Sequence, residues 1–213
     1  VDERNCFGCA GVGVWDVPIG DEEYLRDVSI SWLQPVIFQH DNYYSVVGHE
    51  LGHNFGVLHA NLLDCGDATI DNFDNCVSQE YGDYFDIMGS NIYNYQTGHF
   101  NSLHKEIIGW IDENHVTTIT SSGVYDLYPF EDFDGTLALK VPRKLDELGN
   151  PTEYYFVEYR AERGYDAPII SETQPDNGPQ VRIFEYIREY IRNRGYSPSQ
   201  LLDMTPGFYP RNE

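Results

Sequence analysis

Polar and apolar positions along this chain shift from helical to strand-like spacing near residue 112. Before it, Phe100, Leu103, His104, Ile107 and Ile108 recur at the three- and four-residue steps of a helix face, which predicts a helix over residues 97–110. A second helix is expected over residues 44–55, and the short run GVGVWDVPI at 11–19 fits a strand. After residue 112, the segments 124–130, 136–142 and 154–160 alternate or run apolar as strands do. The sequence LDELGNP supplies Gly149, Asn150 and Pro151 as turn residues between the last two. VRIFEYIREYIRN fits both periods, because Ile183, Ile187 and Ile191 suit a helix whereas Val181, Ile183 and the aromatics suit a strand. The expectation is an α+β chain, with a helix-bearing region over 1–112 and a β-rich C-terminal region over 113–213.

Composition supports a folded chain. Its 213 residues are 41% apolar and 15% aromatic, enough to fill a core. No apolar run is long enough to predict a membrane span, and no charged start followed by an apolar stretch marks a signal peptide. VDERNCFGC at one end and LLDMTPGFYPRNE at the other read as interior cut points. The 35 acidic and 13 basic residues give a formal charge of -22, which argues against nucleic-acid partners and acidic membranes, since phosphate neutralisation needs a Lys/Arg patch. A solvated acidic surface, adaptation to salt water or a preference for basic substrates would each account for the charge. The Asp residues also offer oxygens to Ca2+, although no DxDxDG-type loop gathers them.

The chemistry concentrates in HELGHNFGVLH, residues 49–59. On a helix, His49 and His53 project from one face four residues apart and can reach one ion together. Gly56 can adopt the left-handed conformation that ends a helix, which would swing His59 back as a third ligand. Three protein ligands and an open fourth position describe a catalytic Zn2+ site, with Glu50 as the carboxylate that takes a proton from water.

Four cysteines form an even set. Cys65 and Cys76 bracket the polar loop DCGDATIDNFDNCV and are expected to form a disulfide beside the cleft. Cys6 and Cys9 have CxxC spacing, which suits redox chemistry or half a zinc knuckle. With no second CxxC, a disulfide, either local or to residues outside this chain, is the favoured reading. His99 and His104 are expected to be structural, hydrogen-bonded beneath the site.

Behind the zinc motif, EYGDYFDIMGS at 80–90 carries Met88 in a Gly-flanked turn, and the pairing of an elongated zinc motif with a Met-turn is the metzincin signature. That run, with GHFNSLHKEIIGW at 98–110, EYYFVEYRAERGYD at 153–166 and LLDMTPG at 201–207, resembles the gametolysin-like family of secreted metallopeptidases, over roughly residues 45–207. The resemblance implies a metzincin-type catalytic region over 1–112, zinc on His49, His53 and His59, Glu50 as general base and Met88 as the Met-turn residue. Several metzincins carry a Tyr two residues after the turn Met; here that position is Ser90, and Tyr93 and Tyr95 are the nearby candidates for substrate or oxyanion contact. The implied function is a secreted zinc endopeptidase acting on protein or peptide substrates, extracellular or cell-wall glycoproteins among them. The alternative is a catalytically inactive, zinc-containing binding or adhesion module on the same fold, against which the intact Glu50 speaks.

Overall fold

Alternating aromatic and β-branched residues between Pro151 and Arg160 make the longest strand of the chain, and the rest of the sheet assembles on it. The computed structural model describes residues 8–19, 23–35, 43–89, 98–167, 180–187, 199–204 and 206. Within them the order is β1 (Gly8–Ala10), β2 (Trp15–Pro18), β3 (Tyr24–Val28), β4 (Ser31–Leu33), α1 (Tyr43–Asn54), β5 (Ala60–Asp64), β6 (Val77–Gln79), α2 (Ser102–Ile107), β7 (Val116–Thr118), β8 (Ala138–Leu145), β9 (Pro151–Arg160), β10 (Gln180–Ile187) and β11 (Ser199–Leu202). Seven strands form one mixed sheet in the order β6-β5-β11-β10-β9-β8-β7, and β1 with β4 and β2 with β3 form two small ribbons. The architecture is α+β, with few helices. The large sheet draws strands from both sides of residue 112, because β5 pairs in parallel with β11, Ala60 opposite Ser199. No described helix is long and apolar enough to cross a membrane.

The expected β8–β9 hairpin is present. Asp146 closes its turn, accepting from the backbone N–H groups of Leu148 at 2.9 Å and Asn150 at 2.8 Å. The ambiguous VRIFEYIREYIRN begins as strand β10, which lies between β9 and β11, and residues 188–193 lie outside the described set. Two expectations change. The helix over 97–110 shrinks to α2, because Asn101 takes an extended backbone and its side chain accepts from His104 N–H, capping the helix at Ser102. Residues 124–130 form no strand, and Val124 and Tyr125 face solvent. The segment still meets the sheet region through Tyr128 N–H to Thr136 O at 2.9 Å and through Phe130, which is buried against Val116 and Ala138.

Strand β5 runs out from the end of the zinc motif, and β6 returns antiparallel with Leu62 opposite Gln79 and Asp64 opposite Val77. Cys65 and Cys76 are the next opposed pair of that register, and they form the expected disulfide. Cys9 is also disulfide-bonded, and Cys6 lies outside the described residues. The predicted N-terminal strand appears as β2, in a ribbon with β3. This N-terminal part is tied to the end of α1: Asn54 Nδ2 donates to Gly11 O and Ile30 O, both at 3.1 Å, and Gly13 N–H donates to His53 O at 2.8 Å. The bond to His53 O satisfies one of the carbonyls that a helix C-terminus leaves open, and the Asn54 amide satisfies two loop carbonyls.

The alternation along β9 puts Phe156 in the core, but it also buries Glu158 and Arg160. Arg160 Nε donates to Glu158 Oε1 at 2.7 Å and Nη1 to Asp166 Oδ1 at 2.8 Å, while Glu158 Oε2 accepts from Ser102 N–H at 2.7 Å. Burial alone would lower the guanidinium pKa; the carboxylates of Glu158 and Asp166 outweigh it and hold the net value above the ordinary one. This cluster joins the sheet to the start of α2. Replacing Arg160 with Met should cost about 3–5 kcal/mol, because two carboxylates lose their buried partner. Urea unfolding of the variant at neutral pH measures it, and an unchanged midpoint would show that the cluster carries no stability.

Candidate metal centre

Helix α1 places His49 and His53 one turn apart, and Gly56 then turns the chain with φ of 96°, its N–H donating to His53 O at 2.9 Å. Residues bearing a Cβ adopt that conformation reluctantly, which explains glycine there. The turn brings His59 back towards the helix. Ring centroids of His49 and His53 are 4.9 Å apart, those of His53 and His59 4.9 Å, and those of His49 and His59 5.3 Å. Each of the three offers one ring nitrogen, and these atoms lie within 4.8 Å of one another. The three histidines could together hold a metal ion.

Their other nitrogens are all engaged. His49 Nδ1 meets Ile87 O at 2.9 Å, His53 Nδ1 meets Val57 O at 3.0 Å, and His59 Nδ1 meets Glu80 Oε1 at 2.7 Å. A carbonyl oxygen only accepts, so His49 and His53 carry their proton on Nδ1, and Glu80 favours the same tautomer for His59. In these tautomers each Nε2 carries the ring's lone pair. His53 Nε2 and His59 Nε2 stand 3.1 Å apart, a separation that either a proton on one ring or an ion held by both reconciles with their lone pairs. Burial first, then the neighbouring imidazoles, hold the His49 pKa down to about 4, against the opposing pull of Ile87 O. Burial lowers His53 as well. Neutral imidazole is the form that ligates.

Glu50 follows His49 on the helix and is only 6% exposed. Its Oε2 is buried without a hydrogen-bond partner, and burial pushes its pKa up to about 7. A carboxylate poised near neutrality suits a general base.

Met88 is fully buried and packs with Val57, Ala60 and Phe100, while Met88 O accepts from Ala60 N–H at 2.9 Å. The turn lies directly against α1. A Cβ on Gly52 would meet Met88 Sδ at 2.3 Å and Phe100 at 2.8 Å, so glycine at this position is what allows the contact. Asp86 fixes the turn from below, accepting from Met88 N–H at 2.6 Å and Asn101 N–H at 2.5 Å. His104 is completely buried with Nδ1 3.4 Å from Asp86, but contrary to expectation neither of its ring nitrogens is hydrogen-bonded, and nor is His99 Nε2. Although burial raises the Asp86 pKa, His104 and these N–H groups outweigh it and the net shift is downward. Ser90, Tyr93 and Tyr95 lie outside the described residues.

Two residues at the centre were not singled out from sequence. Glu80 anchors His59, and the Tyr81 ring stacks on His59 with centroids 3.9 Å apart. Extending the β5–β6 register beyond Leu62–Gln79 sets Tyr81 opposite Ala60, so the disulfide-closed hairpin delivers both residues to the third histidine. Tyr81 has φ of 62°, unusual for a residue with a side chain, and its N–H donates to Asn61 Oδ1 at 3.2 Å. Burial, then the carboxylates of Glu80 and Glu50, raise its phenol pKa, which keeps the hydroxyl protonated. The signal available in the sequence was an acidic residue directly after the return strand of a Cys-bracketed hairpin.

Removing the His59 anchor should weaken metal binding without abolishing it. For Glu80→Ala we expect affinity to fall about 10-fold, the low end of the usual range for such partners because Glu80 is exposed, with a smaller loss for Glu80→Gln. Competition against a chromophoric chelator measures both. Equal affinity of the Glu80→Ala variant and the unmodified chain would mean that the contact does not orient His59.

The chain matches no model of a known protein family, no curated protein and no solved structure.

Proposed function

We propose that this chain is a secreted zinc-dependent endopeptidase of metzincin type, similar to the gametolysin-like family. The carrying observation is the 3.1 Å approach of His53 Nε2 to His59 Nε2 while their Nδ1 atoms are engaged elsewhere. Three imidazole donors around one point suit Zn2+, which favours a nitrogen-rich tetrahedral shell with one open position. When bound there, zinc would acidify a water molecule and polarise a peptide carbonyl. His49, His53 and His59 would hold it, each oriented by its Nδ1 partner.

Glu50 supplies the proton transfers. Its carboxylate accepts a proton from the attacking water, and the resulting acid returns that proton to the departing amine, so one group serves both halves of the hydrolysis. Its apolar surroundings keep the proton affinity high enough for the first transfer. Tyr81, stacked on His59 and close enough to raise its own pKa through the Glu50 charge, lines the same centre and would contact the bound peptide. The engaged disulfide at Cys65–Cys76 suits an oxidising, extracellular setting.

Replacing Glu50 with Gln should leave zinc and fold in place while turnover falls about 100-fold to 10,000-fold. Digestion of a mixed peptide library, with elemental analysis of the same sample, tests the reading. Unmodified protein without zinc would assign the short Nε2 approach to a protonated imidazole; zinc-loaded protein that leaves the library intact would make the chain a binding or adhesion module instead.

The pH profile gives a separate check. Glu50 acts as its carboxylate, so kcat/KM should fall as pH drops through its pKa, which lies at about 7 by burial and moves lower next to a bound cation. Burial keeps His49 neutral down to about 4 and lowers His53 as well, so metal content and activity should part company on that limb. Loss of metal in parallel with activity would mean that the histidines, and not Glu50, set the profile.

A further inference from the structure

On the far side of the Met-turn, three segments remote in sequence bring a second group of donors together. His99 precedes α2, Glu131 follows the core residue Phe130, and Asp166 ends the turn after β9. One ligand atom from each lies within 4.8 Å of the others. His99 Nε2 and Glu131 Oε1 are 3.3 Å apart yet out of hydrogen-bond alignment, and both are buried without a hydrogen-bond partner. Glu131 Oε2 and Asp166 Oδ2 are likewise buried and unpartnered, and Asp166 is only 2% exposed. Four polar atoms without partners in one buried spot are costly unless a further group satisfies them together.

We infer that His99, Glu131 and Asp166 form a second divalent-cation site, of the zinc class, that ties these three segments together. Charge supports it. Four buried or half-buried carboxylates, Asp86, Glu131, Glu158 and Asp166, share this region with two cationic side chains, Arg160 and Lys105, leaving a formal excess of two negative charges. Arg160 is engaged by Glu158 and by the other oxygen of Asp166, and Lys105 Nζ sits over the Phe130 ring at 3.1 Å. A divalent ion neutralises the remainder. The imidazole selects a borderline ion such as Zn2+ over Ca2+, which prefers oxygen alone.

The surroundings are built for it. The buried Phe130 and the exposed Tyr165 meet the His99 ring edge-on, each with centroids 5.7 Å away, so an apolar wall closes the inner side of the group. Gly164 turns with φ of 49°, and a Cβ there would meet Glu131 Oε1 at 3.1 Å, so the backbone of the Asp166 turn closes directly on the carboxylate. The site would be structural. Among the described residues its three segments share no hydrogen-bonded ladder, and His99 O accepts from Ile87 N–H at 3.4 Å, on the turn that carries Met88.

The test counts zinc in the full chain after chelator stripping and reloading with Zn2+ alone. We expect about two equivalents, falling to one in His99→Gln and in Glu131→Gln, and falling to one also in a His53→Ala, His59→Ala double variant whose remaining zinc still raises the melting temperature. The outcomes separate the two sites: zinc kept by the double variant but lost on changing His99 supports this site whatever becomes of the peptidase reading. A single equivalent in the unmodified chain that survives His99→Gln overturns it, as does an equivalent taken up only as Ca2+. Should either Gln variant misfold, anomalous diffraction from zinc-loaded crystals of the unmodified chain decides, by a peak among the three side chains or its absence there.

Discussion

Three imidazoles can face one point with their lone pairs only if something behind each ring takes the proton on the opposite nitrogen. This constraint organises the molecule around residues 49–59. Val57 O, Ile87 O and Glu80 Oε1 are the three acceptors, and each comes from a different piece of structure: the turn after α1, the turn that carries Met88 and the turn after β6. None is supplied by α1 itself. The helix provides rings, and the rest of the fold fixes their tautomers.

Delivering those acceptors explains features that otherwise look unrelated. Glycine at 48 and 52 lies on the face of α1 that meets Ile87 and Met88, where added Cβ atoms would stand 2.4 Å and 2.3 Å from those side chains. Close approach of the turn is what lets Ile87 O reach His49. The Cys65–Cys76 bridge sits at the far end of the hairpin whose near end carries Glu80 and Tyr81, so a cross-link at one end holds register at the other. Asp86, pinned under the turn by Asn101 and His104, keeps the Met88 segment from sliding along the helix.

Much of this was legible from spacing, and the rest was not, for reasons that differ by residue. The four-residue step of His49 and His53, the turning role of Gly56 and the pairing of Cys65 with Cys76 follow from local rules, and the structure places them accordingly. Glu80 was invisible because its link to His59 passes through strand register, which no local pattern reports. Residues 124–130 looked like a strand because their apolar spacing suits one, but spacing cannot show that a segment lacks a neighbour to pair with. Asn101 truncated a helix whose apolar periodicity continued past it, a case of capping overriding pattern. On β9 the pattern located the strand, while burial of Glu158 and Arg160 depends on Ser102 N–H and Phe100 O, 56 and 60 positions away, and on Asp166 beyond the strand end.

Burial acts on the centre in one direction, towards neutral forms, and this has opposite consequences for its two kinds of residue. For His49 and His53 the neutral form is the ligating one, so desolvation prepares them for a cation. For Glu50 the neutral form is the wrong one for a base, and desolvation alone leaves the carboxyl half-protonated at about 7. On the proposed reading, a cation held by the histidines would favour the Glu50 carboxylate. Filling the ligands would then raise the ionised fraction of Glu50 above half, which couples metal binding to proton transfer without a separate element. His49 and Glu50, adjacent in sequence and oppositely affected by one apolar environment, are enough to make the coupling a property of the helix.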